Sequence, residues 1–133
     1  MSDNKTIVQA LYAAFGRGDV PFILANLDDS VEWVSTCSSD AIPWGGARHG
    51  QQGALSYFEA VGGNLDFEVF EPRQFAGDGE LVFVRGRTRA KVKSTGRNFD
   101  SEWVHVFTLA DGRVKRFQEF PDTAAILAPL PAH

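Results

Sequence analysis

The residues best suited to chemistry are His105 and Glu119, which stand among aromatic residues in the C-terminal third of the chain. Side chains alternate across a strand, so His105 shares a face with Trp103 and Phe107. By the same rule Glu119 shares a face with Phe117. A carboxylate in apolar surroundings has a raised pKa, and a nearby imidazolium lowers it again. Groups balanced in this way can act as general base and general acid near neutral pH.

Two interpretations of this pair are open. In the first, Glu119 removes a proton next to a carbonyl group or activates water, and His105 donates a hydrogen bond to the developing oxyanion. In the second, the two side chains form a buried hydrogen bond that only stabilises the sheet.

Other candidates for chemistry are weaker. Asp122 precedes a short helical segment and is better explained as its N-cap. His49 lies in a loop and could edge a pocket mouth, although exposure is the default for such a residue. Cys37 has no activating base nearby in sequence and is expected to be inert. Arg85 would enter the site only if its strand has the opposite phase from the one expected.

The elements that must position these residues begin with helices. Apolar residues at helical spacing predict a helix over residues 3–16, with Ser2 or Asp3 as its N-cap. Asp19 can cap a second, short helix. A third helix is predicted over residues 51–61, where two consecutive glycines would end it.

The rest of the chain is predicted to be mainly sheet. Residues 31–35 predict a first strand, and residues 36–50 a long loop. A last helix is predicted over residues 123–128. Val, Phe and Trp predict four further strands, over residues 67–75, 80–93, 98–109 and 113–120. Because short glycine-containing turns join these strands, we expect them to pair antiparallel. Helices on one side of such a sheet make a single α+β domain over residues 1–133. Short helices cannot cover the whole concave face of a long, curved sheet, so we expect an apolar pocket between the helices and the sheet.

Composition restricts the function classes. The chain has 133 residues, of which 44% are hydrophobic and 11 are Phe, enough for a core and an aromatic cavity. The net charge of −4 argues against general nucleic-acid binding. Basic residues nevertheless alternate along one predicted strand: Arg85, Arg87, Arg89, Lys91 and Lys93. They would form either a solvated face of the sheet or a strip that binds an anion or a partner.

Several kinds of site and segment are not predicted. The single cysteine excludes an intramolecular disulfide, and the three histidines lack the i, i+4 spacing of a helical metal site. We expect no metal and no cofactor, because no glycine-rich phosphate loop is evident. The N-terminus does not resemble a secretory signal, and no apolar run approaches the ~20 residues of a membrane span. A soluble, cytoplasmic protein is expected.

Five segments, taken in order, resemble the nuclear transport factor 2-like superfamily, especially its SnoaL-like and ketosteroid isomerase-related members. The likeness covers about residues 5–126. The segments are LYAAFGRGD (11–19), DDSVEW (28–33), GGARHGQQGALSYF (45–58), EWVHVFTLADGRV (102–114) and RFQEFPDTA (116–124). The resemblance implies a cone of curved antiparallel sheet and N-terminal helices, the cystatin-like roll. Its members include isomerases, cyclases, hydrolases and non-catalytic binders, so the fold alone does not assign a function.

The resemblance implies which faces look into the pocket. His105 and Glu119 would be its ionisable groups. Trp44 would form a lid or wall, or would be a buried loop anchor. The side chains expected to bind the substrate are Trp33, Trp44, Phe58, Trp103, Phe107 and Phe117.

The resemblance also argues against two activities. Ketosteroid isomerases use a carboxylate base where this chain has Trp33, and a tyrosine where it has Leu11; Tyr12 is one residue away, turned by about 100° around the helix. His105 stands where those enzymes have a carboxylic acid. The Arg and Asp of the superfamily's epoxide hydrolases are missing from the strand around His105. Glu119 matches the acidic group that cyclase-like members often keep on the last strand.

Two functions therefore remain. The first is a cofactor-free acid/base enzyme of isomerase, cyclase or hydrolase type, acting on a small apolar carbonyl or cyclic substrate. The alternative is a non-catalytic ligand-binding or interaction module. A homodimer is expected in either case, with the strip Arg85, Arg87 and Arg89 meeting Glu68 or Glu102 of a second copy.

Overall fold

The N-terminal helix begins at an acidic capping residue. In the computed structural model, which describes residues 3–37 and 40–131, helix α1 spans Asn4–Gly16. The Asp3 side chain accepts a hydrogen bond from a backbone N–H of the first turn, which confirms Asp3 as N-cap. The alternative, Ser2, lies outside the described residues.

Two short helices also begin at aspartates, as the sequence predicted. Helix α2 spans Val20–Ala25, and the Asp19 carboxylate accepts from a backbone N–H in its first turn. Helix α4 spans Thr123–Leu127 and is capped in the same way by Asp122. No helix in residues 3–37 and 40–131 is long and apolar enough to cross a membrane.

Helix α3 is longer than predicted. It spans Gly50–Asn64, so the expectation that Gly62 and Gly63 end it was wrong. Glycine costs about 1 kcal/mol relative to alanine inside a helix, which other contacts can offset. Here Lys93 donates from Nζ to the Gly62 carbonyl at 2.8 Å and from its backbone N–H to the Asn64 carbonyl at 2.9 Å. These bonds satisfy carbonyl groups that the last turn leaves without helical partners.

Six strands form one curved sheet that does not close, in the spatial order β2-β1-β6-β5-β4-β3. The four consecutive strands β3 to β6 pair antiparallel, as predicted, and β1 pairs parallel to β6. The α+β fold class is confirmed. The strands are β1 Leu27–Ser35, β2 Gly46–His49, β3 Leu65–Asp78, β4 Leu81–Val92, β5 Asn98–Ala110 and β6 Arg113–Pro121.

Strand β2 was not predicted, since residues 36–50 had been assigned to a loop. The strand pairs antiparallel with the end of β1, where Trp33 lies opposite Arg48. The Arg48 guanidinium donates to the Ser56 hydroxyl at 3.1 Å and to the Pro43 carbonyl at 2.9 Å. The strand therefore depends on contacts with its surroundings, which the periodicity of a four-residue segment cannot reveal.

The phase of β4 settles the position of Arg85. Buried and exposed residues alternate along the strand, with Val82, Val84 and Thr88 buried and Arg85 exposed. Arg85 therefore lies on the outer face of the sheet, away from the helices.

The outer face carries a ladder of ion pairs. Arg87 lies 2.9 Å from Asp100, and Arg89 lies 2.6 Å from Asp100 and 3.5 Å from Glu68. Glu68 thus has a partner within its own chain. The homodimer stays a prediction.

Candidate functional site

The inner face of the sheet and the helices line a mostly aromatic cavity of about 100 Å³. All six side chains expected to bind a substrate line it. So do His105 and Glu119. The lining also includes residues that were not predicted, among them Tyr12, Phe15, Tyr57, Phe67, Phe70, Thr88, Phe99 and Ser101.

His105 and Glu119 face each other across two paired strands. They are register partners in β5 and β6, and the His105 Nε2 lies 3.5 Å from Glu119 Oε2. Their exposures are only 6% and 8%. The structure therefore brings together the two ionisable residues that the sequence singled out.

Two tyrosines extend this pair into a chain of four polar groups. The Tyr12 hydroxyl lies 2.6 Å from His105 Nδ1. At the other end the Tyr57 hydroxyl donates to Glu119 Oε2 over 3.1 Å. The resulting order is Tyr12, His105, Glu119, Tyr57.

Tyr12 lines the cavity, although it lies one residue from the position that the tyrosine of ketosteroid isomerases occupies. The buried face of α1 is formed by Val8, Leu11 and Ala14, and Tyr12 stands four residues after Val8, at the border of that face. Its long side chain reaches inward, where its ring stacks with Trp103 at 6.1 Å between centroids. A wider apolar stripe around the helix would have included it.

Tyr57 was also missed, because Phe58 was the one residue of this helix expected to face the pocket. The buried residues of that helix are Ala54, Tyr57 and Val61, and Phe58 is half-buried beside them. Ala54, Tyr57 and Val61 follow the i, i+3, i+7 pattern, so the sequence contained a signal for this face.

Burial sets the protonation of the polar chain. Desolvation lowers the pKa of His105 below its usual value, so the imidazole is neutral at pH 7. Burial, reinforced by the Glu119 charge, raises the pKa of both Tyr12 and Tyr57 well above the ordinary value, so both phenols keep their protons. Tyr12 then donates to Nδ1, and the imidazole proton resides on Nε2, facing Glu119.

One oxygen of the carboxylate is left free by this arrangement. Both neighbouring donors face Glu119 Oε2. Glu119 Oε1 is buried and has no hydrogen-bond partner in the described part of the chain. A carboxylate fixed through one oxygen with the other available has the form of a general base.

The aromatic wall holds the ionisable pair in place. The Trp103 ring stacks on the His105 imidazole at 3.9 Å between centroids, and the Trp103 indole N–H donates to the Thr88 hydroxyl at 2.8 Å. Gly86 lies opposite Trp103 in the register, and a Cβ at Gly86 would stand 2.4 Å from the indole ring. Glycine is therefore required there by the close approach of the ring.

The weaker candidates lie outside this arrangement. His49 is exposed, and Asp122 is a helix cap. Cys37 is buried with its Sγ 2.9 Å from the Ser35 hydroxyl, and burial raises the pKa of the thiol, so it is protonated at pH 7. Trp44 is buried and forms part of the cavity wall. Within residues 3–37 and 40–131, no three His, Cys, Asp or Glu side chains are grouped to hold a metal ion.

Comparison with known proteins identifies the family. The model of the SnoaL-like domain matches residues 8–117. The chain belongs to the SnoaL-like family. No curated protein matches it.

Solved structures agree with the SnoaL-like assignment. The chain is similar to a nuclear transport factor 2-like protein of unknown function from Burkholderia pseudomallei, at 29% identity over 99% of this chain and 100% of that one, with a TM-score of 0.87. It is similar to TerC, co-crystallised with polyporic acid, at 27% identity over 96% and 98%, with a TM-score of 0.83. A Mesorhizobium loti protein described as a SnoaL-like polyketide cyclase shares the fold, at 12% identity over 90% and 99%, with a TM-score of 0.74.

Proposed function

We propose that this SnoaL-like protein is a cofactor-free acid/base enzyme that acts on a small, largely apolar substrate with a carbonyl group or a ring. The observation that carries the proposal is the unpaired Oε1 of Glu119, a residue that lines an aromatic cavity. The other oxygen of the same carboxylate, Oε2, faces two hydrogen-bond donors. Glu119 is the base in this scheme. The relationship of the fold to polyketide cyclases and isomerases supports this class of chemistry.

The proposed reaction begins with removal of a proton from the carbon next to a carbonyl group. Glu119 Oε1 takes the proton, and the negative charge that develops moves to the carbonyl oxygen of the substrate. Both ring nitrogens of His105 have partners, Tyr12 and Glu119, so His105 acts here as a positioning residue and not as the donor to the oxyanion. Tyr57 fixes the other side of the carboxylate.

Deuterium exchange tests the base without knowledge of the natural substrate. Small cyclic ketones are incubated with the protein in D₂O, and NMR follows the loss of the protons next to the carbonyl group. We expect exchange above the buffer rate, and Glu119→Gln to lower the enzymatic rate by ~100-fold or more, because an amide cannot take the proton. Equal exchange by the variant and the wild type would overturn the assignment.

A matched control distinguishes the loss of the catalytic base from the loss of one negative charge elsewhere in the protein. Glu102 lies on β5, the strand next to that of Glu119, and its side chain is on the exposed outer face. Glu102→Gln should retain the wild-type exchange rate. The alternative function, a ligand-binding module, predicts that ketones bind while exchange stays at the buffer rate in all three proteins. TerC, co-crystallised with polyporic acid, supports a small organic ligand under either function.

A further inference from the structure

Two buried polar atoms of cavity-lining residues have no hydrogen-bond partner among the described residues: Trp33 Nε1 and Glu119 Oε1. Their residues are 4% and 8% exposed. A buried donor or acceptor without a hydrogen bond is costly, so most such atoms in folded proteins are paired. A third unpaired atom, Arg48 Nε, belongs to a side chain that does not line this cavity.

The two residues lie close together. Strands β1 and β6 are neighbours, and Trp33 pairs with Phe117, two residues before Glu119. The Trp33 indole stacks on the Phe117 ring at 4.0 Å between centroids. Tyr57 connects the two, because its ring lies 5.7 Å from that of Trp33 while its hydroxyl bonds to Glu119.

We propose that Trp33 Nε1 and Glu119 Oε1 together recognise one hydroxyl group carried by a six-membered ring, as in a phenol or a cyclic enol. An indole N–H only donates and a carboxylate only accepts, whereas a hydroxyl group does both. A ketone pairs only with the Trp33 N–H, whereas its enol pairs with both atoms, and a ligand carboxylate would be repelled by Glu119.

The walls select the ring. They are largely aromatic, and the cavity of about 100 Å³ is comparable with an engineered apolar cavity of ~150 Å³ that holds benzene. One six-membered ring is therefore the size of group that fits beside the two polar atoms.

The link from this hydroxyl to a substrate rests on the proposed function. If Glu119 Oε1 takes the proton next to the carbonyl group of a cyclic ketone, the C–H electron pair forms the C=C bond and the carbonyl π pair moves to oxygen. When Oε1 returns the proton to that oxygen, the product is the cyclic enol and Glu119 is a carboxylate again. Trp33 Nε1–H would donate to the same oxygen throughout, so the substrate class is an enolisable cyclic ketone.

Binding of phenol, anisole and toluene, measured by NMR titration of the intact protein, tests the recognition directly. Anisole can accept but not donate, and toluene does neither. We expect phenol to bind about ten-fold more tightly than either. A purely apolar cavity would favour toluene, the least water-soluble of the three, so equal binding or a preference for toluene would overturn the proposal.

Two aromatic variants locate the donor. Trp33→Phe keeps a ring against Phe117 but removes the N–H, and should abolish most of the phenol preference. Phe83→Leu is the control, because Phe83 is exposed on the outer face of β4, away from the cavity, so the ratio of phenol to toluene affinity should persist. An unchanged preference in Trp33→Phe would overturn the role of Trp33. If the preference for phenol depends on Trp33 but the protein exchanges no ketone proton, the recognition of a hydroxyl group is upheld and only the catalytic function is refuted.

Discussion

The two faces of strands β4 to β6 are built from alternate residues of the same segments, yet they hold charge in opposite ways. On the outer face Asp100 lies 2.6 Å from Arg89 while its side chain is 47% exposed. On the inner face Glu119 lies 3.5 Å from His105, and its side chain is only 10% exposed. The shorter contact is in water, and the longer one is shielded from it.

This difference shows that burial, more than distance, decides what an ionisable pair can do. Water screens the exposed pair, so both partners keep their charges and the contact adds little to folding. In the cavity, desolvation keeps His105 neutral and leaves one oxygen of Glu119 unpaired. Chemistry is therefore expected on the inner face, and solubility or association on the outer one.

The largest expected effect comes from crowding the inner face at Gly86. Gly86→Ala would place a Cβ 2.4 Å from the Trp103 ring and 2.5 Å from the Glu71 carbonyl oxygen. We expect a loss of about 3 kcal/mol in the free energy of unfolding, measured by urea denaturation, and slower ketone exchange because Trp103 supports His105. Gly77→Ala is the control, since its nearest new contact is 3.9 Å. Equal stability of both variants would contradict the close packing at Gly86.

Much of this inner face could be predicted from the sequence, because strand alternation is a local rule. The alternation placed Trp103, His105 and Phe107 on one side of β5, and that is the buried side. The aspartate caps and the hairpin turns were equally predictable, since each depends on a few adjacent residues.

The remaining features depend on contacts between distant segments. Tyr12 and Tyr57 reach the site because of how two helices are oriented against the sheet. Helical spacing alone predicts the buried face of a helix only to within one residue. Strand β2 exists because β1 offers an edge, and α3 passes two glycines because Lys93 binds its last carbonyls. The unpaired atoms of Trp33 and Glu119 appear only when every neighbour is in place.

An intermediate effect is expected when acid titrates the inner face. His105 has a lowered pKa in the folded protein, so below pH 6.5 the unfolded chain binds a proton that the folded protein does not. The free energy of unfolding should therefore fall as the pH drops below 6.5, by at most ~1.4 kcal/mol per pH unit for this group, and stop falling from this cause once the folded His105 is protonated. Urea denaturation between pH 8 and pH 5.5 measures this slope.

Two variants assign the slope to the buried histidine. His105→Asn should flatten it, whatever its effect on stability at pH 8. His49→Asn removes an exposed histidine and should leave the slope in place. A slope that survives in His105→Asn would mean that another group of the protein is responsible.

The smallest effect is expected on the outer face, at Asp100. Hydrogen bonds from Arg87, and then from Arg89, lower the pKa of this carboxyl group, but all three side chains are at least one-third exposed. Asp100→Asn should change the urea midpoint at pH 7 only slightly, and the difference should shrink in 0.5 M salt because water and ions already screen the charges. If the loss is instead large and depends on protein concentration, the ladder is buried against a second copy of the chain. The outer face would then be an interface, as the predicted homodimer requires, and sedimentation of wild type and variant would show the difference in mass.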